Sequence, residues 1–142
     1  AGLDEKPFRM VKFRTMKWPP DLHTSAKPDS SEDDRLTRTG RWLRRTSLDE
    51  LPQFLHVWRG EMSFVGPRPE LMSRLALYSP AQRGRAKVKP GMTGWWQIHG
   101  RPQPMQDHTA LDIYYVENLS FWLDMQILFK TVTAVLRGTG AV

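Results

Sequence analysis

The sequence predicts an α+β fold: a helix-rich single domain with a small β-hairpin, one strand of it truncated, and amphipathic helices suited to an interface. Three observations carry this expectation. Residues 8–16 alternate apolar and basic side chains, as a half-buried strand does. Two stretches near the C-terminus, 107–118 and 120–136, carry apolar residues at helical spacing. Between these ends lie short runs broken by glycine and proline, too brief for a large sheet. A chain of 142 residues suits one domain, and its 39% apolar content allows a real but modest core.

Taken in order, Gly2-Leu3-Asp4-Glu5-Lys6-Pro7 reads as the tip of the hairpin, with residues 8–16 as its second strand. Residues 18–34, with Pro19, Pro20, Pro28, Asp29, Ser30, Ser31, Asp33 and Asp34, read as a polar loop. Residues 37–43 predict a short helix bearing part of an arginine run. Ser47 and Glu50 have the spacing of a capping box, which predicts a helix through Phe54, Leu55 and Trp58 that stops at Gly60. Pro52 fits that start poorly, because proline prefers the first helical position. Gly66-Pro67-Arg68-Pro69 cannot be helical and predicts a rigid extended turn. A helix follows over 70–77, and 89–94 reads as turn. Helix 107–118 has Leu111, Tyr114 and Tyr115 on one side. Ser120 caps a last helix whose apolar side is Trp122, Leu123, Ile127, Leu128, Val132 and Val135.

Composition narrows the partners. Cysteine is absent, which excludes disulfides and thiolate metal sites. The net charge is +6, and residues 71–106 hold six cations and no Asp or Glu. Such a balance predicts anionic partners, whether nucleotides, phospholipid head groups or nucleic acid. A solvated basic face is the plain alternative. No stretch reaches the roughly 20 apolar residues that a spanning helix needs. The longest run without charge is 90–100, and it is full of turn formers.

The pointed chemistry lies at Asp49 and Glu50, two adjacent carboxylates directly after Arg44 and Arg45. A carboxylate in the first turn of a helix feels the partial positive charge of unpaired amides. With arginines beside it, Asp49 is expected to be held as an anion. Such a group can attack phosphorus or hold Mg²⁺, which takes one or two carboxylates plus phosphate oxygens. Adjacent helical residues point about 100° apart, so one nucleophile and one metal ligand is a sensible division. The alternative is a pair of ordinary first-turn acids. Arg68, stiffened by Pro67 and Pro69, presents a planar fork suited to phosphate, and Arg101 is a second such candidate. Trp95, Trp96, Phe121 and Trp122 fit either a lipid interface or the core. The four histidines show no metal spacing, and His99 and His108 stay unassigned.

These pieces, in this order, resemble the bacterial sugar transferase family of monotopic polyprenyl-phosphate sugar-1-phosphate transferases. The matching blocks are Lys12-Phe13-Arg14-Thr15-Met16, Thr37-Arg38-x-Gly40, and Arg44-x-x-Ser47-Leu48-Asp49-Glu50-Leu51-Pro52-Gln53. Then come Gly60-x-Met62-Ser63-x-Val65-Gly66-Pro67-Arg68-Pro69 and Val88-Lys89-Pro90-Gly91-Met92-Thr93-Gly94-x-x-Gln97-x-x-Gly100-Arg101. The last is Asp112-x-x-Tyr115-Val116-x-Asn118-x-Ser120-x-x-x-Asp124-x-x-Ile127-Leu128. The family pattern has a small residue at Trp96 and asparagine at His99 and Pro102.

The resemblance implies transfer of a sugar-1-phosphate from a UDP-sugar to undecaprenyl phosphate, with release of UMP, at the cytoplasmic face of the bacterial inner membrane. By that resemblance Asp49 is the nucleophile and Glu50 binds Mg²⁺. Arg68 and Arg101 bind phosphate, with Lys12 and Arg44 in support. Pro67 and Pro69 frame the site, and Asp112 and Asp124 match acidic positions of the last block. It also implies that residues 1–142 are a catalytic domain without the family's N-terminal membrane-inserted helix, resting on an anionic membrane surface. A homodimer is left open. A non-catalytic membrane-surface domain is the rival reading. A nucleic-acid module is disfavoured, because carboxylates within the basic region would repel phosphate.

Overall fold

The computed structural model describes residues 1–17, 35–99 and 105–136. The predicted loop at 18–34, and Gly100, Arg101 and Pro102, lie outside the described residues, as does the side chain of His108. The fold is α+β, with helices around a two-stranded sheet.

That sheet is parallel, not a hairpin. Strand β1 (Ser63–Val65) pairs with β2 (Gly91–Thr93), Ser63 opposite Gly91 and Val65 opposite Thr93. A segment read from sequence as turn is therefore a strand. Its glycines serve close approach, not reversal. A Cβ on Gly91 would lie 2.1 Å from the Gly66 nitrogen, and one on Gly94 would lie 2.2 Å from the Gly66 oxygen. Between the strands the chain makes helix α3 (Met72–Leu75), shorter than the predicted 70–77, then α4 (Pro80–Arg83) and a 3₁₀ turn at Gly84–Lys87. Ser79 caps α4 with a full capping box completed by Gln82.

The expected strand at 8–16 is reduced to one antiparallel bridge, Met16 with Leu36. Its backbone donors are spent elsewhere: the Phe13 N–H goes to the Asp49 carbonyl at 3.0 Å, and the Val11 N–H goes to His56. Helix α1 (Arg38–Arg45) is capped by Thr37, whose hydroxyl accepts from the Gly40 N–H at 2.8 Å. Gly40 lets α1 cross the chain at residue 15, since a Cβ there would meet the Thr15 oxygen at 2.0 Å.

Ser47 does not form the predicted capping box. It ends α1 in the left-handed region at φ 56, and its side chain caps nothing. A 3₁₀ helix follows, Leu48–Gln53, with Pro52 inside it, and α2 (Phe54–Trp58) continues to Gly60 at φ +76. Asp49 and Glu50 occupy the first turn of this helix, as expected.

Helix α5 (Trp95–His99) packs against α6 (Met105–Glu117) and α7 (Phe121–Leu136). The core is Val65 of β1, Tyr115 of α6, and Leu123 and Ile127 of α7, with Trp95, Ile98, Val88, Val116 and Leu128 at its edge. Ser120 caps α7, its hydroxyl accepting from the Leu123 N–H. Trp122 and Val132, predicted on the apolar face, are instead exposed, together with Phe121, Met125 and Phe129. Tyr114 is likewise exposed while Tyr115 is buried.

Candidate active site

Five segments converge on one notch. Its walls are Met10 and Lys12 from the extended N-terminal segment, Glu50 and Gln53 from the 3₁₀ helix, Arg68 and Pro69 after β1, Gly91 and Met92 of β2, and Gln97 of α5. The interior space is about 10 Å³, room for about one water molecule, so a larger ligand would sit at its mouth. The Lys12 Nζ lies 2.7 Å from Glu50 Oε1, and an Arg68 Nη2 lies 3.8 Å from the same oxygen. Pair formation is cheap here because all three side chains keep some solvent.

Asp49 is half-buried beside this cluster. It is not among the notch-lining residues, but its carboxyl senses Glu50, Lys12 and Arg44. Burial pushes its pKa up from 3.8, and the Glu50 carboxylate adds to the push. Lys12, its own backbone N–H and Arg44 pull down without overcoming these. The sequence expectation weighed only the groups that favour the anion; in the fold, desolvation and Glu50 outweigh the pull of Lys12 and Arg44. Arg44 reaches into the same region, its Nε donating to the Thr15 hydroxyl at 3.2 Å.

Other predicted site residues stand apart. Asp112 is buried on α6, its Oδ2 2.6 Å from Arg85 Nη2, and burial raises its pKa to about 6 despite that guanidinium. Asp124 accepts a 2.8 Å hydrogen bond from the Tyr115 hydroxyl. Burial, reinforced by Asp124, pushes the Tyr115 phenol up. Pro67 is buried, lining a second small cavity with Glu70 and Arg85. Arg101 lies outside the described residues.

Sequence reasoning gave no role to Gln53, which is 2% exposed, lines the notch, and has an amide nitrogen without a hydrogen-bond partner among the described residues. The missed signal is its spacing. Gln53 lies three residues after Glu50, and in a 3₁₀ helix positions i and i+3 share a face. His56 was missed too. It is 2% exposed, with the Phe8 ring edge-on at 5.3 Å. Its Nε2 accepts the Val11 N–H at 3.1 Å, which places the ring proton on Nδ1, 2.6 Å from Glu61 Oε2. His99 is exposed, with Nε2 2.8 Å from the Lys130 Nζ, and remains without a role.

No group of three or more His, Asp or Glu side chains capable of holding a metal occurs among the described residues. Among those residues, then, no dedicated protein cage for a cation is built. Glu50 fits the other kind of site, in which one carboxylate shares Mg²⁺ with substrate phosphates.

Comparison with known proteins shows the family. A profile of the bacterial sugar transferase family matches residues 1–138. The chain belongs to the bacterial sugar transferase family. Among similar proteins, the uncharacterized sugar transferase EpsL of Bacillus subtilis is 49% identical over 140 residues, covering 98% of this chain and 68% of its own. The UDP-glucose:undecaprenyl-phosphate glucose-1-phosphate transferase of Escherichia coli is 41% identical over 140 residues, 92% of this chain and 30% of its own. A UDP-N-acetylgalactosamine-undecaprenyl-phosphate N-acetylgalactosaminephosphotransferase of Aeromonas hydrophila is 39% identical over 148 residues, 99% of this chain and 35% of its own. This bacterial sugar transferase chain thus spans about a third of the last two relatives. No helix among the described residues is long and apolar enough to cross a membrane.

Proposed function

We propose that this chain is the catalytic part of an enzyme that moves a sugar-1-phosphate from a UDP-sugar to undecaprenyl phosphate and releases UMP. The observation that carries this reading is the meeting of Lys12, Glu50 and Arg68 at one notch beside half-buried Asp49, in a chain of this family. The Asp49 carboxylate attacks the phosphorus that bears the sugar. A bond from carboxylate oxygen to phosphorus forms, the phosphoanhydride bond breaks, and UMP leaves with the electron pair. An undecaprenyl phosphate oxygen then attacks the same phosphorus and returns the carboxylate.

Glu50 would hold Mg²⁺ together with donor phosphates, and that ion would neutralise their charge. Lys12 and Arg68 would grip non-bridging oxygens and steady charge at phosphorus. Raising the Asp49 pKa has a chemical use, because a more basic carboxylate is a better nucleophile once ionised. The lipid acceptor requires a membrane surface. Trp58, Phe121, Trp122 and Phe129 are each two-thirds or more exposed and support seating there. The named relatives take different sugars, so the reading commits to a UDP-sugar and to no particular hexose.

The test is UMP release by the full-length protein with Mg²⁺, undecaprenyl phosphate and a panel of UDP-sugars. Wild type should release UMP with one of them and carry a phosphosugar adduct on Asp49 by mass spectrometry. Asp49→Asn should abolish both. Release by that variant at the wild-type rate would end the nucleophile assignment.

A further inference from the structure

The turn that carries Arg68 has an unusual supply of hydrogen bonds. Pro67 and Pro69 have no N–H, so the turn cannot brace itself through those residues. It is held from outside instead. The Gly66 N–H donates to the Thr93 carbonyl at 2.9 Å, and the Gly91 N–H donates to the Pro67 carbonyl at 2.9 Å. The Arg68 carbonyl is taken by a side chain: Arg85 Nη2 donates to it at 2.7 Å.

Arg85 is 6% exposed and sits in the 3₁₀ turn Gly84–Lys87. A buried guanidinium is costly unless charge and donors are both answered. Here they are. Asp112 Oδ2 lies 2.6 Å from its Nη2, and Glu70 Oε2 lies 3.4 Å from its Nη1. The Tyr78 ring lies 5.8 Å from the guanidinium carbon, with its hydroxyl donating to Glu70 at 3.0 Å. The planar fork therefore serves a carbonyl and two carboxylates at once, which a lysine ammonium on a flexible stem does not reproduce.

We infer that Arg85, anchored by Asp112 and Glu70, is a positioning residue that fixes the direction of the Arg68 side chain toward the notch through its hold on the Arg68 carbonyl. It touches no substrate. Its leverage is geometric: neighbouring φ angles are locked by proline, so the peptide after Arg68 is the part left to set. Arg85 clamps the oxygen of that peptide. This also gives Asp112 a place in the machinery, as the charge that keeps Arg85 buried and aimed. The inference rests on the reading of Arg68 as a phosphate ligand.

The experiment is a double-mutant cycle in the full-length protein, with Arg68→Ala, Arg85→Lys and the pair, reading kcat and KM for the UDP-sugar together with melting temperature. Displacing a positioned group by about 1 Å can cost on the order of 100-fold, so Arg85→Lys should lower kcat/KM by roughly 10- to 100-fold. The loss should vanish in the Arg68→Ala background, where there is no guanidinium left to aim. Factors that multiply in the double variant, or an Arg85→Lys enzyme with wild-type kcat/KM, overturn the inference. A wild-type rate for Arg68→Ala overturns instead the phosphate-ligand reading, and Asp49→Asn reports separately on the nucleophile. If Arg85→Lys does not fold, Asp112→Asn runs the same cycle: a loss abolished by Arg68→Ala supports the aim through Arg85, and a multiplying or absent loss refutes it.

Discussion

Gly91→Ala should damage fold and site together. A methyl there would lie 2.1 Å from the Gly66 nitrogen, 2.5 Å from the Thr93 oxygen and 2.6 Å from the Val65 carbonyl carbon. All three are backbone atoms of the paired strands or their flanks and cannot rotate away. The nearest falls roughly 1.3 Å short of ordinary contact, so β1 and β2 must part by about that much. Two bonds that span this gap next to the clash are Gly66 N–H to Thr93 and Gly91 N–H to Pro67, both 2.9 Å. Stretched past about 3.5 Å they cease to be hydrogen bonds. Each buried group left unmade costs about 1–3 kcal/mol, giving about 2–6 kcal/mol for the two. Against a total stability of about 5–15 kcal/mol, that is a large share. Thermal and urea unfolding followed by circular dichroism would measure it, with a fall in melting temperature on the order of 10 °C. Gly84→Ala is the control. Gly84 has helical angles, φ −52 and ψ −23, and a methyl there meets only the Ile113 Cδ1, at 3.1 Å. Its stability should stay within about 1 kcal/mol of wild type. An equal fall for both variants, or none for Gly91→Ala, would refute the close-approach argument.

Three further outcomes are expected. On the proposed mechanism Asp49 attacks only when ionised, so its raised pKa puts the acid limb of the rate profile above pH 3.8. Lys12→Met removes a charge that pulls this pKa down and should move the limb to higher pH, measured as kcat/KM against pH; a shift the other way contradicts the electrostatics. Ile127→Ala empties a site that is 0% exposed and should cost about 2–5 kcal/mol in urea unfolding. Trp122→Ser, at 75% exposed, should change stability by less than about 0.5 kcal/mol, yet weaken co-sedimentation with anionic vesicles if α7 rests on the membrane.

Much of the framework was legible because it depends on local rules. The short helix near residues 37–43, the stop at Gly60, the rigid Pro67-Arg68-Pro69 turn and the start of α7 at Ser120 all follow from local backbone chemistry. The carboxylate pair in a helical first turn was readable for the same reason. What failed needed knowledge of distant neighbours. Lys89-Pro90-Gly91-Met92-Thr93-Gly94 looks like turn until Gly66 is laid against it, and only then do its glycines mean a parallel pair. The Asp49 pKa was misjudged in direction because desolvation is a property of the folded surroundings, while the arginines beside it are visible in the chain. Asp112 and Asp124 match the motif, but only the fold reveals that Arg85 and Tyr115 engage them.

His56 ties two distant stretches through one ring. It receives the peptide of Val11 on one nitrogen and faces Glu61 with the other, so both ring nitrogens are committed. Lys12 is the next residue along. Removing that ring would free the Val11 peptide and loosen the strap from which Lys12 reaches Glu50. The shape of the notch and a buried histidine outside it are thereby mechanically joined.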